Sequence, residues 1–176
     1  MRLWTIGHST RKIDQFTSLL EENGIKLVVD VRGLPGSKRY PQFNKEALAQ
    51  SLREHEIRYE HLSELGGRRK PRPDSRNTAW RNASFRGYAD YMETEEFHKG
   101  IERLVDLTSK VGPAAIMCAE AVWWRCHRAL ISDYLKVRGI EVIHIVATNK
   151  TDRHPYTSAA RIVNGKLSYR TNDSLL

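Results

Sequence analysis

The residues best able to do chemistry cluster between Cys118 and Arg128. Met117-Cys118-Ala119-Glu120 closes an apolar run, and Trp123-Trp124-Arg125-Cys126-His127-Arg128 leads into a helical segment. A carboxylate that directly follows an apolar strand, in a turn also supplied with arginines, is placed to be a nucleophile, a general acid/base or a substrate clamp. Glu120 is that carboxylate. Cys126 and His127, near a helix N-terminus and beside cations, suit a thiolate of lowered pKa. Cys118, Cys126, His127 and His8 offer metal-ligand chemistry instead, although the seven residues between the cysteines are not a knuckle spacing. The plainest alternative is that the thiols are small buried residues, above all Cys118. No metal or other cofactor is assigned.

Other candidates lie far away in the sequence. His8 and Ser9 follow a short apolar run, Leu3 to Ile6. His8 is either a general acid or base with a pKa near neutrality or a turn residue bonded to a carbonyl. Asp30 and Arg32 end a β-branched run and are either a structural ion pair or, at Arg32, a two-point grip on a phosphate or carboxylate. Ser37, Lys38 and Arg39 suit an oxyanion or a solvated loop. His144, inside a strand, reads as a satisfied core histidine.

These positions acquire meaning from the elements that carry them. The chain opens strand, polar turn, helix, with Ile13, Phe16, Leu19 and Leu20 on one helical face. Asn23-Gly24 stops that helix, and Ile25 to Val31 reads as a buried parallel strand. Asn44 caps a helix carrying Ala47, Leu48 and Leu52, and a short strand near an edge follows at Ile57, Tyr59 and Leu62. From Glu64 to Arg86 periodicity vanishes into a long basic loop, either a ligand contact or a solvated flap. Phe85 to Met92 is a short helix, Thr94 caps the next one, and Gly112-Pro113 ends it. Ala114 to Val146 then forms one βαβ unit whose helix opens near Arg125. Asn164-Gly165 marks a C-terminal hairpin.

The pattern predicts a single α/β domain over residues 1–176: a mostly parallel sheet flanked by helices on both faces, with its core in 1–149 and a C-terminal extension with the hairpin in 150–176. Right-handed crossovers put every parallel strand's carboxyl end on one rim. His8 and Ser9, Asp30 and Arg32, Cys118 and Glu120, and Thr148 with Asn149 should therefore meet there, where ligands bind in open α/β sheets.

Composition limits the function classes. Hydrophobic residues make up 40% and charged residues 28%, which suits a globular domain and excludes a wholly disordered chain. No apolar run approaches the roughly 20 residues of a membrane helix, and Met1 leads straight into a strand-like segment, so no membrane association and a cytoplasmic location are expected. With only 2 Cys, this is not a disulfide scaffold. The net charge of +8 favours anionic partners such as nucleotides, phosphorylated metabolites or nucleic acid.

Rhodanese and cysteine-phosphatase domains also show an apolar strand ending in Asp-Val-Arg and a later strand-Cys-loop-Arg-helix unit. Here six residues separate Cys118 from Arg125, no glycine lies between them, and Glu120 would repel a phosphate dianion. A broader set of motifs points elsewhere: Thr5-Ile-Gly-His-Ser9, Asp30-Val-Arg32, Pro35 with Ser37 and Phe43, Leu65-Gly-Gly67, Phe85 with Tyr88 and Tyr91, Met117-Cys-Ala-Glu120, Cys126-His-Arg128 and His144-Ile145. In combination they resemble the bacterial and archaeal family called domain of unknown function 488. The resemblance implies a compact α/β domain with a site among the same rim residues and leaves the reaction open.

The expectation is an enzyme acting on a nucleotide, nucleoside, nucleic acid or other anionic substrate. Glu120 is its nucleophile or acid/base, with His8 and Asp30 as helpers. Ser9, Arg32, Ser37, Arg125 and Arg128 are its anion contacts. Two other readings compete: a nucleic-acid-binding module built on Gly67 to Arg86, and thiol or metal chemistry at Cys126, His127 and Cys118.

Overall fold

The computed structural model describes residues 1–171, so the last five residues of the expected extension lie outside the described part. Parallel strands β1 (Arg2–Gly7), β2 (Leu27–Asp30), β3 (Arg58–His61), β4 (Ala114–Cys118) and β5 (Glu141–Ala147) pair in the order β3-β2-β4-β1-β5. A sixth strand, β6 (Lys150–Arg153), joins β5 antiparallel and closes that edge of the sheet. Its sequence, Lys-Thr-Asp-Arg, is exposed throughout and carries no apolar alternation, which is why periodicity did not reveal it. Thr148 and Asn149 therefore form a tight turn into β6, with Asn149 at φ 56°.

Helices α1 (Ile13–Glu22) and α2 (Lys45–Glu54) cover one face of the sheet, and α3 (Ala83–Tyr91), α4 (Glu95–Val111) and α5 (Arg128–Val137) the other. The alternating side chains of the strands account for this division. Val28, Ala115, Met117 and Ile145 pack with Phe16, Leu20, Leu48 and Leu52, whereas Leu27, Val29, Ala114 and Ile116 pack with Phe97, Ile101, Leu104 and Leu130. β7 (Arg161–Val163) and β8 (Lys166–Ser168) form the hairpin around Asn164-Gly165, whose φ values of 51° and 75° are those its turn requires.

Local signals account for most helix ends. Thr94 accepts from the Phe97 amide at 3.3 Å to cap α4, and Gly112, at φ 125°, ends that helix. Asn44 behaves differently from its expected role: its Oδ1 accepts the Ser37 amide at 2.6 Å and leaves α2 without a side-chain cap. Before α5 the chain makes one 3-10 turn, Trp123–Arg125, so the helix opens at Arg128 rather than near Arg125.

The connections create the switch point. The crossover through α1 leaves β1, passes β4 and reaches β2. The crossover through α5 leaves β4, passes β1 and reaches β5 on the opposite face. Adjacent strands β1 and β4 thus send their chains in opposite directions and open the rim between their carboxyl ends.

Candidate functional site at the carboxyl rim of the sheet

At that rim the exits of β1 and β4 run side by side. The His8 amide donates to Cys118 O and the Ser9 amide to Ala119 O, each at 2.9 Å. Glu120 follows directly. Its carbonyl accepts Arg128 Nη2 at 2.6 Å, while its side chain is exposed and meets no donor among the described residues. Gly7 permits this crossing, because a Cβ there would stand 1.7 Å from Glu120 O.

His8 is only 4% exposed and stacks on Phe43 at 4.4 Å. Its Nδ1 donates to Ser9 O at 2.8 Å, leaving the Nε2 lone pair facing Arg32 Nη1 at 3.4 Å. Burial lowers its pKa against the opposing Ser9 hydrogen bond, with Arg32 adding to the fall, so the neutral imidazole is favoured. Asp30 is fully buried and accepts Arg32 Nε at 3.0 Å, Arg32 Nη2 at 2.8 Å and the Tyr59 hydroxyl. Arg32 Nη2 also donates to Phe43 O at 2.8 Å. The pair locks the β2 exit to the loop before α2. His61 Nε2 and His127 Nε2 reinforce that exit by donating to Arg32 O and Val31 O at 2.7 and 2.8 Å.

Arg128 is 1% exposed, and each guanidinium nitrogen has an internal acceptor: Nε on Cys118 Sγ at 3.0 Å, Nη1 on Thr5 Oγ1 at 3.2 Å and Nη2 on Glu120 O. The arginine that meets Cys118 is therefore the first residue of α5, not Arg125, which is exposed. Cys126 Sγ accepts the Arg128 amide at 3.4 Å and lies 3.6 Å from His127 Nδ1. Among the described residues, no three His, Cys, Asp or Glu side chains are grouped to hold a metal ion.

Behind the rim runs a chain of buried hydrogen bonds whose polarity is set by its ends, because arginine only donates and carboxylate only accepts. Arg128 donates to Thr5, Thr5 to His144 Nδ1 at 2.6 Å, His144 Nε2 to His154 Nδ1 at 2.9 Å, and His154 Nε2 to Asp133 at 2.7 Å. Burial, then the neighbouring His154 and Arg128, push the His144 pKa down to about 2. Trp123 stacks on its ring at 4.6 Å. His144 is thus a satisfied core histidine, as its place in the strand suggests.

The remaining candidates lie in the surrounding loops. Ser37 Oγ accepts the Arg39 and Tyr40 amides at 3.1 and 3.2 Å, a turn staple, while Lys38 and Arg39 are exposed. The basic segment starts at the rim, where Gly66 lies against Gly33 and Gly67 against the His127 ring. Asp90 of α3, 3% exposed, holds the segment down by accepting the Arg72 amide, Ser75 Oγ and Asn77 Nδ2 at 2.8, 2.6 and 2.7 Å. It is a built loop, not a flap. A groove of about 420 Å³ opens where Arg11, Asp14, Ala147 and Thr148 meet, and Arg11 there bonds the carbonyls of Gly7 and Val146 at 2.9 and 2.8 Å.

The structure thus brings His8, Ser9, Asp30, Arg32, Cys118, Glu120, Cys126, His127 and Arg128 to one rim, with Ser37 and Arg125 in adjoining loops. Sequence reasoning missed Thr5, Tyr59, Asp133 and His154. Thr5 entered only as the first residue of the Thr5-to-Ser9 motif and His154 carried no signal beyond residue type; Asp133, a carboxylate between Leu130, Ile131 and Leu135, could have been flagged as buried.

Fold and rim together define an open α/β-sheet protein with a polar site at the carboxyl ends of its central strands. The chain belongs to the family described as Domain of unknown function DUF488, whose model matches residues 12–135. β1 and β5 lie outside the matched stretch, yet they flank or follow β4 in the sheet and supply His8, Thr5 and His144. No curated protein and no solved structure matches the chain. No helix among the described residues is long and apolar enough to cross a membrane.

Proposed function

We propose that the protein is an enzyme acting on an anionic substrate, a nucleotide, nucleoside or nucleic acid, at the carboxyl rim. The observation that carries this reading is Glu120: an exposed carboxylate with no side-chain partner among the described residues, on backbone fixed by the buried Arg128. The side chain of Glu120 stands at the exit of β4, beside the exit of β1, where the two crossovers diverge. It is available as nucleophile or general acid/base beside the exit of β1, where the neutral His8 follows Gly7. Asp30 acts through Arg32 and Tyr59 as a positioning residue. Arg125, Lys38 and Arg39, all exposed, supply the positive field that draws the substrate in.

A second reading rests on the basic loop. Arg68, Lys70, Arg76, Arg81 and Arg86 meet no carboxylate among the described residues; Asp90 fixes the loop that carries the first four, and Arg86 stands on α3. That arrangement suits phosphate contacts without catalysis.

One experiment separates the readings. The protein and its Glu120→Gln variant are incubated with mono- and dinucleotides, nucleosides and short oligonucleotides, with products followed by mass spectrometry and binding by fluorescence anisotropy over a salt series. The enzyme reading expects product from the native protein and at least about 100-fold less from the variant, the loss typical of a positioned acid or base. Unchanged turnover would sink it. Oligonucleotide binding that falls steeply with salt, is the same in both proteins and yields no product would establish the binding module instead.

A further inference from the structure

Among the described residues the large apolar side chains left exposed are Met1, Leu34, Trp124 and Ile162. Met1 begins the chain and Ile162 sits in the terminal hairpin. Leu34 and Trp124 stand instead in the loops that leave β2 and β4, neighbouring strands whose carboxyl ends belong to the rim. His127 Nε2 on Val31 O ties these two exits together. A single exposed apolar residue is ordinary, but Trp124 differs in how it is seated. It lies in the 3-10 turn Trp123–Arg125 and meets Trp123 edge-on, with ring centres 5.6 Å apart. Trp123 in turn stacks on the buried His144 ring at 4.6 Å, the planes only 6° apart, and meets His154 at 4.9 Å. One indole thus anchors the turn in the core while the next, 54% exposed, is presented to solvent. Among the described residues no other aromatic ring and no cation contacts Trp124, and no acceptor takes its indole N–H.

Free positive charge accompanies this ring. Arg125, the next residue, is exposed and meets no carboxylate among the described residues, and the same holds for Arg68 and Lys70. The loop that carries Arg68 and Lys70 begins beside the turn, because Gly67 packs against the His127 ring. Arg68 also holds a left-handed backbone at φ 62°, a conformation disfavoured for any residue with a Cβ.

We propose that the rim binds a single-stranded nucleic acid, with Trp124 stacking on one unpaired base and Arg125, Arg68 and Lys70 contacting the flanking phosphates. The inference rests on the reading of Glu120 as the reacting group and names the substrate that group meets. Three physical arguments select a single strand among the anionic substrates. An exposed indole face pairs with the face of a base, which a duplex hides between its neighbours. The terminal phosphate of a mononucleotide carries about two negative charges and is repelled by Glu120, whereas each diester phosphate of a strand carries a single charge and lies away from the base. Free cations spread over two loops match a row of phosphates better than one phosphate. A base held on Trp124 leaves the base and sugar of that nucleotide, rather than a phosphate, to face Glu120.

The test titrates the whole protein with a short RNA strand of mixed sequence, the same sequence as DNA, the corresponding duplex and a mononucleotide. Tryptophan emission and anisotropy are followed over a salt series, in the native chain and in Glu120→Gln, where binding is read without turnover. A single strand should quench the emission. Trp124→Ala should abolish most of that quench and weaken strand binding about 10-fold or more, the scale of one stacked base, while Trp124→Phe, which keeps a ring, should bind within about threefold of the native chain. Arg125→Ala should reduce the salt dependence by about one phosphate contact and leave the quench at saturation unchanged. Tighter binding of RNA than of DNA would add the 2′-hydroxyl to what is recognised, and equal binding would assign recognition to base faces and phosphates alone; either supports the proposal. Equal affinity for the duplex, a mononucleotide bound as tightly as the strand, a Trp124→Ala variant that binds the strand like the native chain, or no strand binding would overturn it. Product from a mononucleotide without strand binding would overturn this inference and leave the enzyme reading standing. Strand binding with the expected quench and no product from any probe would do the reverse.

Discussion

Glu120 and Arg128 divide the rim between them: one is exposed and free, the other buried and fully engaged. Both histidines of the region are buried, His8 at the rim against Phe43 and His144 behind it under Trp123. His144 gives a residue-scale prediction with a definite sign. Its folded pKa is about 2, whereas in the unfolded chain it returns to about 6.5. Between those values the unfolded state binds a proton that the folded state does not. Stability contributed by the neutral imidazole is therefore complete above about pH 6.5 and is lost progressively as pH falls. Carbon-bound proton shifts of His144 should stay constant between about pH 5 and pH 8, where an ordinary histidine titrates. A titrating His144 signal would contradict the polarity assigned to the Arg128-to-Asp133 chain.

At the scale of elements, the basic segment from Gly67 to Asn82 owes its shape to one buried carboxylate of α3. Burial would raise the Asp90 pKa, but hydrogen bonds from Ser75, Asn77 and Arg72 outweigh it and hold the carboxyl below the usual aspartate range. The stabilisation is present above the unfolded value of about 3.9 and is lost as pH falls through the folded value. Asp90→Ala should leave the sheet intact but speed amide hydrogen exchange at Ser75, Asn77 and neighbouring loop positions by at least about tenfold, a change equivalent to about 1.4 kcal/mol of local stability. Unchanged exchange would mean that the loop is held by other contacts, such as Arg69, which lies 3.6 Å over the Tyr91 ring. Sequence reasoning recognised this segment as basic and aperiodic. It did not reveal its rigidity, because the contacts that fix it join residues 13 to 18 positions apart that share no local pattern.

For the whole molecule, the parallel core and the convergence of His8, Asp30, Cys118 and Glu120 were legible from apolar runs that end in polar turns. The Asn164-Gly165 hairpin was legible from its dipeptide. What stayed hidden depended on pairing across the fold. β6 has no hydrophobic pattern, and nothing local to Arg128 shows that its guanidinium passes inward to Thr5, 123 positions away. Asp133 is the other long-range anchor. It accepts His154 Nε2 and the Thr157 amide on one oxygen, and the hydroxyls of Thr157 and Tyr169 on the other, at 2.6 to 2.9 Å. The chain beyond β6 is thus bound to α5 through Asp133, with Lys136 Nζ adding a bond to His154 O at 3.1 Å. Asp133→Asn would turn an amide donor toward groups that themselves donate, and should cost about 3 kcal/mol through the unmet buried partners. Chemical denaturation should report the loss, and limited proteolysis should cut first between His154 and Tyr169. Cleavage elsewhere, with stability unchanged, would contradict this anchoring.

The two outermost strands carry a consequence of another kind. β3 presents Arg58 and Glu60, and β6 presents Lys150, Asp152 and Arg153. A row of unpaired backbone groups normally invites a foreign strand to extend the sheet, and charges along it make that docking unfavourable. Here both margins are studded with ions, and β6 is only four residues long. Such a sheet resists recruitment into fibrils, and a Lys150→Val, Asp152→Val double substitution would remove that protection while leaving the interior of the protein unchanged.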